Sequence, residues 1–290
     1  MFQDLEDHPG AKARIMEDPG RKHRKTPACS GPISVRDMTA VEADAATLKA
    51  AVALHPGRQA FMSAASPGVT ALFFRNEYYP TDEAYVFALA DALAHEYEAI
   101  HRAGILLQVD CPDLAMGRHT QFRDLDLHAY RAKMELNIAA LNHATRNIPP
   151  EAMRMHLCWG NYAGPHHCDV PLRDIIDLVW TARPHAIQFE AANPRHAHEH
   201  ALFEDVGLPD GKLLIPGMLE PQSTWVEHPK LIAQRIGRYA HLVGRDRVMA
   251  GADCGFSIHA GSGGVPPSIV WAKMKALAEG AEIASKRFWP

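Results

Sequence analysis

Short apolar segments alternate with amphipathic helices along this chain, and the alternation constrains its fold more than any other feature. Strands are predicted at 61–65, 105–109, 153–158, 186–190, 213–215 and 247–250. Helices are predicted at 81–100, with Thr81 as its cap, and at 127–146, 171–182, 196–203, 229–243 and 267–285. The strands lack an alternation of polar and apolar residues, which is typical of parallel strands buried on both faces. The pattern therefore predicts a parallel α/β fold.

Two parallel α/β architectures fit this pattern, the doubly wound open sheet and the (β/α)8 TIM-type barrel. A Gly-x-Gly-x-x-Gly sequence does not follow the first strand, which disfavours a dinucleotide-binding fold. We therefore predict a single barrel domain over residues 31–290. Six βα units are recognisable where a barrel has eight, so the first two strands are predicted to be short or missing. Residues 1–30 are charged and poor in large apolar residues, and we predict a loosely structured N-terminal arm there.

The composition limits the kinds of protein that this chain could be. A net charge of −4 without a basic stripe argues against a nucleic-acid partner. No apolar run could cross a membrane, and the N-terminus lacks the pattern of a signal peptide. The 5 cysteines are an odd number spread over 290 residues, which favours reduced thiols and predicts a cytoplasmic protein.

Residues with metal-binding side chains lie at the predicted strand ends, where parallel α/β folds place their chemistry. His156 and Cys158 share one strand end, Glu190 closes the next strand, and Cys254 follows the last. Residues i and i+2 of a strand point to the same side, so His156 and Cys158 could bind one ion. One imidazole, two thiolates and a carboxylate suit tetrahedral zinc, whereas the alternative is that the cysteines are only small buried apolar residues.

The motifs, taken in order, resemble the catalytic domain of the cobalamin-independent methionine synthase family. They comprise Ser66-Pro67-Gly68-Val69-Thr70, Gln108-Val109-Asp110-Cys111-Pro112, His156-Leu157-Cys158, Glu190, Ile215-Pro216-Gly217 and Asp253-Cys254-Gly255. The match runs from about Pro27 to Trp289 and extends to the wider group that includes epoxyalkane:coenzyme M transferase.

The resemblance implies a (β/α)8 barrel, a catalytic Zn²⁺ and transfer of an alkyl group to a thiol. It implies that His156, Cys158, Glu190 and Cys254 are the zinc ligands, and that Glu190 and Asp110 act in catalysis, Asp110 by holding a polar group of the thiol substrate. The residues predicted to bind substrate are Asp110, Ser66, Trp159, Asn161 and Gln222.

The sequence departs from the family pattern at two positions near the strand ends. Gln222 stands where the methionine synthases carry a histidine that handles protons, and Cys111 replaces a glutamate. These changes put homocysteine and a polyglutamylated folate in doubt as substrates. The six units correspond to the third to eighth strands of the family barrel, so either the chain starts late or another subunit closes the open edge as a homo-oligomer.

Two histidine-rich stretches are weaker indications of metal binding. His196 and His200 are four residues apart and could pair on one helix face, although a solvated face is the more common explanation. His166, His167 and Cys168 follow the zinc motif, and we predict that they line the substrate loop or the surface.

Three functions remain open from the sequence. The favoured one is a zinc-dependent S-methyltransferase that acts on a small thiol, with a donor of the 5-methyltetrahydrofolate type. The second keeps the zinc-bound thiolate but attacks an epoxide or another methylated small molecule. The third is a non-catalytic barrel stabilised by zinc.

Overall fold

The computed structural model describes residues 3–10, 27–257 and 264–289. Its strands are β1 (Ala28–Cys29), β2 (Phe61–Ala65), β3 (Arg75–Asn76), β4 (Leu106–Asp110), β5 (Met153–Leu157), β6 (Ala186–Phe189), β7 (Leu213–Leu219) and β8 (Gly251–Ala252). Its α-helices are α1 (Gln3–Glu6), α2 (Thr39–Ala53), α3 (Pro67–Phe73), α4 (Asp82–Arg102), α5 (Leu127–Ala144), α6 (Ile176–Val179), α7 (Leu202–Asp205), α8 (Pro229–Val243) and α9 (Pro267–Phe288). The described residues form two compact units: the N-terminal unit (27–156 and 174–185) and the C-terminal unit (3–10, 157–173, 186–257 and 264–289).

In the N-terminal unit, β4 pairs in parallel with β2 on one side and with β5 on the other. The register aligns Asp110 with Ala65 and with His156, so these residues share the carboxyl edge of the strands. Helix α4 begins at the predicted cap, where the Thr81 hydroxyl accepts a hydrogen bond from the Ala84 amide at 3.1 Å. Its apolar residues recur at helical spacing and form a buried stripe that includes Val86, Leu89, Ala90, Tyr97 and Ile100.

In the C-terminal unit, β7 pairs in parallel with β6 and with β8. Helices α8 and α9 pack against each other, and Gly280 permits this because a methyl group there would lie 2.8 Å from the Pro229 carbonyl oxygen. The short helix α1 also belongs to this unit, and its Asp4 and Leu5 are fully buried.

Two predicted segments are wrong in their bounds. The strand predicted at 247–250 is displaced: Val248 makes an isolated bridge to Leu214, and the regular strand is Gly251–Ala252. The apolar residues misled the prediction, because Gly251 is needed where a side chain would meet the Ile215 methyl carbon at 2.8 Å. The helix predicted at 171–182 is reduced to a 3₁₀ turn at Leu172–Asp174 and the single turn α6, and the Leu172 amide donates to the Glu199 carboxylate at 2.6 Å.

The predicted parallel α/β fold is confirmed, but a closed barrel of eight strands is not. The domain limits of 1–30 and 31–290 stay predictions, and much of the predicted arm, residues 11–26, lies outside the described residues. Within 3–10, 27–257 and 264–289, no helix combines the length and the apolar character needed to cross a membrane.

Candidate metal centre

Three of the predicted ligands come together in the C-terminal unit. The sulfur of Cys158, which follows β5, lies 3.1 Å from the sulfur of Cys254, which follows β8. The same Cys158 sulfur lies 3.6 Å from Oε1 of Glu190, the residue after β6. Three strand ends therefore place two thiols and a carboxylate side by side.

These distances can be compared with those of a tetrahedral zinc site. Zinc–sulfur bonds of about 2.3 Å and zinc–oxygen bonds of about 2.1 Å place two sulfurs about 3.8 Å apart and a sulfur and an oxygen about 3.6 Å apart. The distance between Cys158 and Glu190 matches this value, whereas the two sulfurs would have to separate by about 0.7 Å. The donor atoms and their spacing therefore fit a zinc ion after a small adjustment.

The fourth predicted ligand, His156, is buried near the end of β5, two residues before Cys158. His156 belongs to the N-terminal unit and Cys158 to the C-terminal unit, so the place of His156 among the ligands stays a prediction. Nε2 of His156 is 4.0 Å from a carboxylate oxygen of Asp110.

The electrostatics of this cluster favour a bound cation. Burial raises the pKa of Glu190 well above its usual range, and the neighbouring Cys158 raises it further. Desolvation likewise raises the pKa of the Cys254 thiol, and its hydrogen bond with Cys158 adds to the effect. The raised pKa of each group favours its protonated form, so a metal ion would compete with protons for these donor atoms.

A layer of polar residues holds Glu190 in place. Its Oε1 accepts a 2.8 Å hydrogen bond from the Trp159 amide, and its Oε2 accepts one of 2.9 Å from the Asn193 side chain. Asn193 also donates to Oδ2 of Asp253 at 2.8 Å, and the guanidinium of Arg195 lies 3.4 Å from Oε2 of Glu190. Glu190 is therefore oriented before any ligand binds.

Asp253 organises the loop that follows β6. Its Oδ1 accepts hydrogen bonds from the amides of Ala191 and Ala192, and its Oδ2 accepts one from the Asn193 amide, each at 2.8 Å. Because Asp253 immediately precedes Cys254, one buried side chain links the positions of two ligands.

The prediction of a solvated face for His196 and His200 is wrong for His196. This residue is buried, and its ring nitrogens lie 2.9 Å from Asp169 and 3.0 Å from Glu199. Burial alone would lower the pKa of His196, but the two carboxylates raise it to about 10. This raised pKa favours the imidazolium form, and the ring stacks on Trp159 at 4.2 Å between centroids.

The other predicted substrate residues of the C-terminal unit have partners within it. Trp159 is fully buried, and its indole donates to the Val170 carbonyl at 2.8 Å. Asn161, with φ 39°, accepts a hydrogen bond from Arg195. Gln222 donates to the Gly255 carbonyl at 3.1 Å, which ties the loop after β7 to the segment after Cys254.

The predicted substrate residues of the N-terminal unit are Ser66 and Asp110. The Ser66 amide donates to the Asp110 carbonyl at 3.0 Å, and the Ser66 hydroxyl both caps α3 and donates to Asp113 at 2.8 Å. Burial raises the pKa of Asp113 to about 6, although hydrogen bonds from Ser66 and Asn137 oppose the shift. The substrate-binding role of each of these residues stays a prediction.

A buried lysine supports the loop that carries Gln222, and sequence reasoning missed it. Lys273, on α9, is fully buried and bonds to Glu227 at 2.8 Å, Ser223 at 3.1 Å and the Glu220 carbonyl at 3.0 Å. A lysine on the apolar stripe of a helix could have indicated a buried charge. Its partners lie about 50 residues earlier in the chain, so the sequence around Lys273 does not identify them.

Comparisons with known proteins are consistent with the motifs. No protein-family model matches the sequence. A curated methionine synthase from Thermococcus kodakarensis is 22% identical over 216 residues, which are 73% of this chain and 53% of that protein. The chain thus spans about half the length of this curated relative.

Solved structures add information about the fold. A B12-independent methionine synthase from Shewanella sp. W3-18-1, in complex with selenomethionine, matches with a TM-score of 0.68 at 18% identity, over 89% of this chain and 70% of that one. The apo homocysteine methyltransferase MmuM from Escherichia coli gives a TM-score of 0.30 at 14% identity, over 91% and 92% of the two chains. The resemblance that the motifs indicated is thus confirmed: this chain is similar, in sequence and in fold, to the cobalamin-independent methionine synthases.

Proposed function

We propose that the chain is a zinc-dependent S-methyltransferase that transfers a methyl group to a small thiol. The observation that carries the proposal is the convergence of Cys158, Cys254 and Glu190 at three strand ends of one unit. His156, two residues before Cys158, completes the proposed set of zinc ligands. The curated relative named methionine synthase supports the choice of reaction.

Zinc in this position would supply one chemical effect, which is to lower the pKa of a thiol so that it is a thiolate near neutral pH. The new S–C bond forms as the bond between the methyl carbon and its donor atom breaks, and the donor takes up a proton. A donor of the 5-methyltetrahydrofolate type suits this exchange. Asp110 is proposed to hold a polar group of the thiol, such as an amine, by its charge.

Glu190 is the proposed ligand that yields to the substrate, because a carboxylate is a harder donor than sulfur. Its hydrogen bonds to the Trp159 amide and to Asn193 could hold it after it leaves the ion. Zinc K-edge absorption with and without thiol tests this idea. The expected change is loss of one oxygen donor and gain of one sulfur, and an unaltered ligand set would contradict it.

A second function is favoured by Gln222, which stands where the family carries a proton-handling histidine. Its amide donates to the Gly255 carbonyl and cannot take up a proton at neutral pH. An epoxide electrophile leaves an alkoxide that must be protonated by another group or by water. This alternative keeps the zinc site and changes the electrophile.

The proposed architecture around this site is the (β/α)8 barrel of the family, and the likeness to the Shewanella structure supports it. The strands recognised in this chain would be the third to eighth. If a second copy closes the open edge, light scattering will give twice the mass of one chain. The expected cytoplasmic location also stays a prediction.

Metal content and labelled methyl transfer test the function. We expect Cys158→Ser and Cys254→Ser each to contain one zinc fewer than the wild type. Cys29→Ser is the control: it removes a half-buried thiol from the N-terminal unit and should keep the zinc content of the wild type. Loss of thiol with methyltetrahydrofolate supports the methyltransferase, and loss with simple epoxides supports the alternative. Equal zinc content in all four proteins would overturn both.

A further inference from the structure

A second group of metal-binding side chains lies on the surface of the C-terminal unit, apart from the ligands proposed above. We propose that Asp7, His167 and Cys168, with His8 as a fourth donor, bind a divalent cation of the zinc class. Asp7 and His8 lie in segment 3–10, and His167 and Cys168 lie in segment 157–173 of the same unit. The inference does not depend on the proposed methyltransferase.

The geometry of the group is already close to that of a metal site. The ligand atoms of Asp7, His167 and Cys168 all lie within 4.8 Å of one another. Nε2 of His167 lies 3.0 Å from Oδ2 of Asp7. In a tetrahedral zinc site the donor atoms are about 3.3–3.8 Å apart, so small rotations of exposed side chains would complete the site.

His8 is the proposed fourth donor because its ring lies beside that of His167. Its ring packs edge-on against His167, with 5.4 Å between the ring centroids. The two imidazoles, the thiol and the carboxylate come from two short stretches of chain, and all are exposed or half-buried. An ion could therefore reach them directly from solvent.

Buried contacts hold the two segments together and so preorganise the site. The carboxylate of Asp4 accepts hydrogen bonds from the Tyr162 hydroxyl and, at 2.6 Å, from the His166 amide. His166 itself has φ 57°, which turns its backbone just before His167. The backbone on each side of the proposed site is thus fixed by groups other than the ligands.

A neighbouring group of similar composition shows why the surface group is the better candidate. His166, Asp169 and His196 also lie close together, but they are buried and bonded to one another. The second ring nitrogen of His166 lies 2.9 Å from the Tyr162 carbonyl oxygen, and that of His196 lies 3.0 Å from Glu199. Each ring nitrogen there already has a partner, so a cation would have to displace the protons of a satisfied network.

The chemistry of the surface group selects the ion. A thiolate and imidazoles favour zinc or cobalt over calcium and magnesium, which prefer oxygen donors. A bound ion would link segment 3–10 to the loop that begins beside Cys158. Occupancy would therefore protect that segment from proteolysis.

Cobalt titration of the full chain tests the proposal in a background that lacks the motif cysteines. We expect Cys158→Ser/Cys254→Ser to bind one Co²⁺ with the charge-transfer absorption of a thiolate ligand. Adding Cys168→Ser should abolish that absorption, and adding His167→Ala should weaken binding about tenfold or more. A matched control adds Cys29→Ser/His198→Ala, which removes a thiol and an imidazole elsewhere and should leave the titration unchanged.

Zinc content of the otherwise unaltered chain gives an independent measurement if the background variant folds poorly. His167→Ala/Cys168→Ser should contain one zinc fewer than the wild type after dialysis against zinc. The expected loss is the same whether or not Cys158 and Cys254 bind zinc, so failure of the proposed function would be seen separately. Equal zinc content in this variant and the wild type would overturn the surface site.

Discussion

The sulfur of Cys158 lies 3.1 Å from the sulfur of Cys254, although 96 residues separate them in the chain. A disulfide requires about 2.05 Å, so a closing movement of about 1 Å would join the two sulfurs. A metal ion between them would hold both thiolates and block this bond. The observed distance lies between that of a disulfide and that of a zinc site, so the metal-free pair is exposed to oxidation.

We predict that diamide, which accepts two hydrogen atoms, will form the Cys158–Cys254 disulfide in protein stripped of metal. Intact mass should fall by two hydrogen atoms, and peptide mapping should identify the cross-link. Zinc-loaded protein should react far more slowly. Cys29→Ser should behave as the wild type, whereas equal formation of the cross-link with and without zinc would contradict the prediction.

His196 is predicted to stabilise the protein as a buried cation. His196→Gln leaves Asp169 and Glu199 without their positive partner and should lower the free energy of unfolding by about 3–5 kcal/mol. The folded pKa of about 10 lies above the ordinary value of 6.5, so this stabilisation is complete below pH 6.5 and lost as pH rises through 10.

Urea unfolding at several pH values between 6 and 10 measures this effect. The stability difference between the wild type and His196→Gln should shrink steadily across that range. His198→Gln, at an exposed position of the same stretch, is the control and should change stability little. A difference that stays constant with pH would argue against a buried imidazolium.

Asp113 should give a second pH-dependent change in stability, in the acid range. Its folded pKa of about 6 exceeds the ordinary value of 3.8, so the folded state binds the extra proton and stability falls as pH rises from 3.8 to 6. The fall is expected to be about 3 kcal/mol. Asp113→Asn should remove it, because the amide does not titrate and Asn137 can turn to accept from it.

Urea unfolding at pH 4 and pH 7 would measure the loss. The exposed Asp124→Asn is the matched control and should keep the slope of the wild type. Parallel pH profiles for the wild type and Asp113→Asn would show that Asp113 does not hold the proton.

The sequence predicts the elements of this site well because their signals are local. Thr81 was recognised as a helix cap, and a side chain three residues from its partner needs no knowledge of the fold. His156 and Cys158 share a side of one strand for the same reason. The convergence of Cys158, Glu190 and Cys254 followed from one further rule, that parallel strands end at a common edge.

The parts that could not be predicted depend on distant partners. The burial of His196 follows from Asp169, which lies 27 residues away, and a histidine-rich stretch alone resembles a solvated face. The strand at Gly251–Ala252 was misplaced because the neighbouring Val248 and Met249 have higher strand propensity, although packing against Ile215 requires glycine.

Gly217 provides a last prediction, because it connects the fold to the proposed metal ligands. A methyl group on Gly217 would contact the carboxylate of Asp253 and lie 2.8 Å from its Cα. Asp253 would have to move, and its hydrogen bonds to the loop after β6 and the position of Cys254 would change with it. Gly217→Ala should therefore destabilise the protein by about 1–3 kcal/mol and weaken zinc binding about tenfold.

Thermal unfolding measures the change in stability, and zinc competition with a chromophoric chelator measures the change in zinc affinity. Gly207→Ala is the control, since no atom lies within 4 Å of the added methyl group. Zinc affinity unchanged in Gly217→Ala would show that Asp253 does not position Cys254.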